Sequence, residues 1–114
     1  MELTPGLDVL EERAGHGPAA RAGDTVRYDC RIHLNRGDEV AMAQSGHETV
    51  LGKRRVIAGI ERALTGMQAG GFRKVRVSPH LAYGDAGVAD VVPPRAVLVI
   101  SLWLTEILPP DRAA

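Results

Sequence analysis

The chain predicts an α+β domain in which one antiparallel sheet of four or five strands packs a face on a single short helix. Three observations carry this. Val26, Tyr28, Cys30, Ile32 and Leu34 alternate with Arg27, Asp29, Arg31 and His33, the mark of a strand with one buried and one wet face. Val56, Ile57, Ile60, Leu64 and Met67 recur at helical spacing, placing one apolar stripe on a helix of about three turns. Beyond Gly70 and Gly71 the period drops to two, with Arg73, Val75 and Val77 on a following strand.

In chain order, Leu7, Val9 and Leu10 form a short first strand before the turn-rich Gly15-His16-Gly17-Pro18. Gly23-Asp24 introduces the alternating strand, which directs Tyr28 inward. Residues 35–38 make a turn, 39–42 return as a neighbouring antiparallel strand, and the small, polar residues 43–48 form a loop before the helix. The helix's polar residues, such as Arg55, Glu61 and Arg62, lie off the stripe. Ser78-Pro79-His80-Leu81-Ala82-Tyr83-Gly84 is the loop in which chemistry is expected. Residues 84–90 are flexible by their glycines, and Val91-Val92-Pro93-Pro94 stiffens the chain, because proline fixes φ and biases the preceding residue toward extended geometry. The last strand, residues 97–107, turns Leu98, Ile100, Leu102 and Leu104 to one face and Val97, Val99, Ser101, Trp103 and Thr105 to the other.

The 114 residues make one domain, with 1–22 an amino-terminal strand and turn and 23–108 the core. Fourteen basic and 14 acidic residues cancel, which argues against nucleic acid or an anionic membrane as partner. A single cysteine, Cys30, excludes an internal disulfide and a cysteine metal cluster; the alternation makes it a small core residue. The first residues are acidic where a signal peptide needs a basic start, and no run approaches the roughly 20 apolar residues of a membrane span. The expectation is a soluble, cytoplasmic protein.

Five blocks then carry a resemblance. Val50-Leu51-Gly52 leading into Val56-Ile57-Ala58-Gly59, Leu64-Thr65-Gly66-Met67 with Gly70, Leu81-Ala82-Tyr83-Gly84, and Val92-Pro93-Pro94-Arg95-Ala96-Val97-Leu98 resemble, in order and spacing, the FKBP family of peptidyl-prolyl isomerases. The resemblance covers residues 23–108. It implies a strongly bent antiparallel half-barrel wrapped around the helix, and an apolar cavity that binds a proline-containing segment of a peptide or unfolded protein while the bond before the proline rotates. It implies no cofactor and no metal, and it extends the ligands to the family's macrolide inhibitors. The barrier to be lowered is about 18–20 kcal/mol, since the twisted amide loses its resonance, and uncatalysed rotation takes tens of seconds or longer. A dry pocket disfavours the charge-separated form of the ground-state amide, and a few fixed hydrogen bonds hold the twisted geometry.

Position by position, the resemblance assigns the catalytic roles to Tyr83, Ile57 and Tyr28. The Tyr83 hydroxyl and the Ile57 N–H would each donate to a peptide carbonyl. Val40, Val56 and Ile60 would contact substrate, with Ile60 as the floor beneath the prolyl ring; Val88, Val91, Val92 and Ile100 would complete the wall. Taken alone, each of these aliphatics reads first as an ordinary core residue, whereas a buried phenol such as Tyr83 still needs a partner. The chain departs from the family at Ile60, where tryptophan is common, at Val40-Ala41, where an aromatic and an aspartate usually stand, and at Ile100, another aromatic position. Lost ring contacts are worth about 0.5–1.5 kcal/mol each. Activity one to three decades weaker than the family norm is therefore expected, and the alternative is a non-catalytic prolyl-peptide-binding, chaperone or docking module.

Remaining features read more plainly. His16, His33, His47 and His80 lack close metal-ligand spacing and read as surface residues. Lys53-Arg54-Arg55 with Arg73, Lys74 and Arg76 reads as a solvated face in a chain of zero net charge. Trp103, beside Val97, Val99 and Phe72, points to the face away from the helix, where it is either exposed, a candidate contact for a homodimer or a partner, or covered by the amino-terminal segment.

Overall fold

A computed structural model describes residues 2–110 and, within them, all side chains except those of residues 41–44. Among these residues it contains strands β1 (Glu2–Thr4), β2 (Leu7–Arg13), β3 (Thr25–Leu34), β4 (Glu39–Val50), β5 (Phe72–Val77) and β6 (Leu98–Leu108), and one helix, α1 (Ala58–Leu64). The strands form a single sheet in the order β1-β2-β5-β6-β3-β4, every pair antiparallel. The α+β architecture is as expected, with six strands in place of four or five. The extra strand is β1, an edge strand that folds back on β2 through Pro5 and Gly6, the glycine supplying a left-handed φ of 88°.

The expected loop at residues 43–48 is instead part of β4, which runs on to Val50. Surplus residues are absorbed as bulges: Cys30 to Ile32 is two steps on β3, while their partners Gln44 and Val40 are four apart on β4. Gly46, at φ 64°, donates its N–H to the Asp29 carboxylate at 2.6 Å and ties the irregular stretch to β3. Such bulges bend a strand and raise its twist, and another interrupts β3 against β6 between Arg27 and Tyr28.

The helix is shorter than its stripe. It has seven residues, about two turns rather than three. Ile57 is still extended at φ −59°, ψ 149°, and beyond Leu64 the Thr65 N–H closes on the Glu61 carbonyl before Gly66 turns away at φ 92°. Val56 and Met67 lie on the flanks yet face the same core, so the helical spacing outruns the helix.

That core is the inward face of the sheet against α1. Val26, Tyr28, Cys30 and Ile32 of β3, Val75 and Val77 of β5, and Leu98, Ile100, Leu102 and Leu104 of β6 are all buried, as are Ile60, Ala63 and Leu64 of the helix. Each large aliphatic so removed from water contributes about 1.5–3 kcal/mol. Two contacts set the helix on the sheet. At Gly59 a Cβ would stand 2.5 Å from Val77 Cγ1, an approach only glycine permits. Arg73, although on β5, turns inward: its guanidinium donates to the Ala63 carbonyl at 2.8 Å and pairs with Glu12 of β2 at 2.6 Å. It thus satisfies a carbonyl at the helix C-terminus, where cations are favoured.

Strands β2 and β3 are separated in the sheet by β5 and β6, so residues 14–24 must cross the sheet's end. They are pinned to the segment following α1 by His16 N–H to Ala69, Ala20 N–H to Met67 and Gly66 N–H to Ala20, at 2.7–3.0 Å. On the opposite face of the sheet Trp103 does point away from the helix, but it is half-buried, its ring 5.2 Å from that of buried Phe72. Trp103 thus falls between the exposed and covered alternatives, because Phe72 stands opposite it on β5 and Arg13 of β2 caps the Phe72 ring.

Candidate functional site

Between the inward face of β3 and the segment leading into α1 lies a cleft of about 430 Å³, lined by Tyr28, Ile32, His47, Arg54, Arg55, Val56, Ile57, Ile60 and Tyr83. Each element contributes for a local reason. The alternation of β3 sends Tyr28 and Ile32, four residues apart, to the same side. The extended backbone at Ile57 presents Val56 and Ile57 before the helix begins, and Ile60 follows as a buried floor, 4% exposed. Tyr83 is held by a short 3-10 turn at Pro79–Leu81: Ala82 and Gly84 both donate to the Pro79 carbonyl, and Gly87 donates to that of Tyr83. Leu81, buried beside Gly59, anchors the turn to the helix. The glycine-rich loop expected to be flexible is cross-tied as well, by a Val88–Val92 bridge and by Arg95 N–H to the Gly84 carbonyl at 3.0 Å.

Two phenols meet this cleft. Tyr28 is fully buried, its ring edge-on to His47 at 5.4 Å, and its hydroxyl has no hydrogen-bond partner among the described residues. Burial first, then the proximity of Cys30 and Tyr83, pushes its ionisation well above the ordinary tyrosine range. Tyr83 is half-buried, and its ionisation is raised by burial and secondarily by Cys30. Both hydroxyls therefore keep their protons at neutral pH and remain donors. The Ile57 N–H, ahead of the first helical hydrogen bonds, is likewise available as a donor.

The cleft gathers Tyr28, Val56, Ile57, Ile60 and Tyr83 from the residues singled out in the sequence. The others lie elsewhere. Val40 and Ile100 flank Ile32 in register on β4 and β6, both buried, so Ile32 reaches the cleft while they fill the core on either side. Val88, Val91 and Val92 line a separate hollow of about 370 Å³ with Leu34 and Pro93. The side chain of Ala41 lies outside the described residues. Sequence reasoning missed Ile32, His47, Arg54 and Arg55. Ile32 was findable, since it shares Tyr28's alternation; His47 lay in the stretch read as a loop, and the arginines in one read as solvated. The six supposed members of a basic face are in fact dispersed: Arg73 is buried under the helix, while Lys74 and Arg76 border a hollow that also includes Leu10 and Val99. Among the described residues no cluster of histidine, cysteine or carboxylates is arranged to hold a metal, and no helix is long and apolar enough to cross a membrane.

An antiparallel sheet packed over one short helix, with a cleft lined by two tyrosines, defines a small α+β half-barrel. Residues 17–105 match the family model described as FKBP-type peptidyl-prolyl cis-trans isomerase, and the chain belongs to that family. Similar proteins include a 46 kDa FK506-binding nuclear protein of Spodoptera frugiperda, 31% identical over 93% of this chain and 26% of the relative's length. FK506-binding protein 4 of Aspergillus fumigatus is 33% identical over 90% of this chain and 21% of its own length. Human peptidyl-prolyl cis-trans isomerase FKBP10 is 32% identical over 88% and 18%. The chain thus spans about a fifth to a quarter of the length of these relatives.

Proposed function

We propose that this domain catalyses cis/trans isomerisation of Xaa-Pro bonds in peptides or folding proteins, with an activity below the norm of its family. The observation that carries the proposal is one cleft lined by two tyrosines above the buried Ile60, the Tyr28 hydroxyl being sealed from solvent without a partner among the described residues. A buried donor without an acceptor costs free energy, and a peptide carbonyl that displaced the packing over the hydroxyl on entering the cleft would relieve that cost. In this reading the prolyl ring rests on Ile60 between Val56 and Ile57. Tyr83 and the Ile57 N–H donate to carbonyls flanking the rotating bond, and the apolar walls weaken the amide resonance by disfavouring its charge-separated form. No nucleophile, acid–base pair or metal is required.

The aliphatic floor motivates both the low activity and a second reading, a prolyl-peptide-binding or docking module without catalysis. Ile60 cannot stack on a prolyl ring as an aromatic side chain does. Exchange NMR on a short Xaa-Pro peptide separates the two. Catalysis predicts line broadening from accelerated exchange, reduced about two- to tenfold in Tyr83→Phe, the worth of one neutral hydrogen bond. Saturable peptide binding with exchange no faster than in buffer would replace the isomerase by the module.

A further inference from the structure

One side of the cleft mouth is cationic and unneutralised. Arg54 and Arg55 are exposed, immediately precede Val56, and line the cleft, whose lining contains no carboxylate among the described residues. Five arginines are ion-paired, Arg27 with Glu48 and Glu106, Arg31 with Glu39, Arg36 with Asp38, Arg73 with Glu12 and Arg76 with Asp8, whereas Arg13, Arg21, Arg62 and Arg95 make no ion pair among the described residues and stand outside the cleft lining. Neither Arg54 nor Arg55 makes an ion pair among the described residues, although the whole chain has equal numbers of acidic and basic groups. Two guanidiniums with no counter-charge among the described residues, at the edge of an apolar hollow, form an electrostatic rim that favours one sign of ligand.

We propose that Arg54 and Arg55 select prolyl segments carrying an anionic group, a carboxylate or a phosphate, within a residue or two of the proline. This rests on the prolyl-cleft reading and adds the identity of the flanking residue. The apolar part of the cleft takes the ring, and the arginines take the charge beside it. Guanidinium suits this role because its planar fork matches carboxylate and phosphate oxygens in bidentate fashion. Both arginines are solvent-exposed, so each contact is screened, and together they are expected to give about a three- to tenfold preference at low salt. The anion is held equally in the ground and twisted states, so the preference lies in KM, with kcat little changed.

The test uses four tetrapeptides that differ only before proline, carrying glutamate, phosphoserine, leucine or lysine, with exchange measured by NMR at roughly 20 mM and 500 mM salt, a range over which charge screening becomes severe. The expected order of kcat/KM is glutamate and phosphoserine above leucine above lysine, carried by KM, and collapsing at high salt. In the double charge reversal R54E/R55E the lysine peptide should overtake the glutamate peptide. A preference confined to phosphoserine would assign the anion to phosphate, and one shared with glutamate to either source. Turnover of the leucine peptide with no charge preference, or an order that survives charge reversal, overturns the inference and leaves the isomerase reading intact. If no peptide is turned over, the isomerase reading fails instead, and the same charge order in peptide Kd, read by fluorescence anisotropy, then decides the inference by itself.

Discussion

Replacing Tyr28 by phenylalanine should make the free protein more stable and a worse binder of prolyl peptides. A tyrosine hydroxyl in a core ordinarily has a partner, and its removal costs about 0.5–1.5 kcal/mol. Here the side chain is 0% exposed and the hydroxyl accepts from and donates to nothing among the described residues. The free state therefore carries the desolvation cost of an unmet polar group, about 1–3 kcal/mol, which the phenylalanine ring removes while filling the same space and keeping its edge against His47. For a domain of this size each kcal/mol moves the melting temperature by about 4 °C, so Tyr28→Phe should melt about 4–12 °C higher by calorimetry, with an unchanged urea m-value. In the same variant, peptide affinity should fall about two- to tenfold, because the hydroxyl's only acceptor arrives with the ligand. Opposite signs in the two assays are the signature. A Tyr28→Phe protein that melts lower than its parent would refute the reasoning, since it would mean that the hydroxyl is already satisfied in the free protein.

Other expectations follow from the same geometry. Because burial raises the Tyr28 ionisation above the ordinary value of 10.0, the folded state favours the neutral phenol. That contribution is complete below pH 10.0 and is lost as pH climbs toward the higher folded value, at up to about 1.4 kcal/mol per pH unit. Urea midpoints taken from pH 8 to 12 should fall less steeply for Tyr28→Phe than for the parent, and parallel curves would contradict this. Ile60→Trp, which puts an aromatic floor under the prolyl ring, should raise kcat/KM by about three- to tenfold in the exchange assay; unchanged activity would show that the floor is not limiting. Gly59→Ala drives a methyl into Val77 and should cost about 1–3 kcal/mol in chemical denaturation, since a crowded core must shift backbone to accept it.

Much of this domain is legible in its chain. The inward set of β3, the all-apolar face of β6 and the helical stripe depend only on the periods of the two regular structures, two and 3.6, which hold whatever the rest of the molecule does. Tyr28 is directed inward for that reason, and Ile60 and Leu64 turn inward from the helix, whereas Val56 and Ile57 reach the same core from the extended segment ahead of it. Motif resemblance added Tyr83, which no period predicts because it sits in a turn.

What periodicity could not supply is which inward side chain meets empty space and which meets its neighbours. Val40, Ile32 and Ile100 form one row across three strands, all facing the same way, yet Ile32 alone opens on the cleft. That distinction depends on how the sheet curls, to which bulges such as those in β4 contribute, and bulges arise from cross-strand pairing that no local pattern records. The cationic rim has the same origin. An arginine's charge is written in the chain, but whether a carboxylate stands opposite it depends on residues distant in sequence, as Glu12 does for Arg73 and none among the described residues does for Arg54 or Arg55. Local repeats determine the face each residue takes. Long-range packing alone determines what stands opposite it, because burial and charge pairing depend on neighbours that only the closed fold brings together.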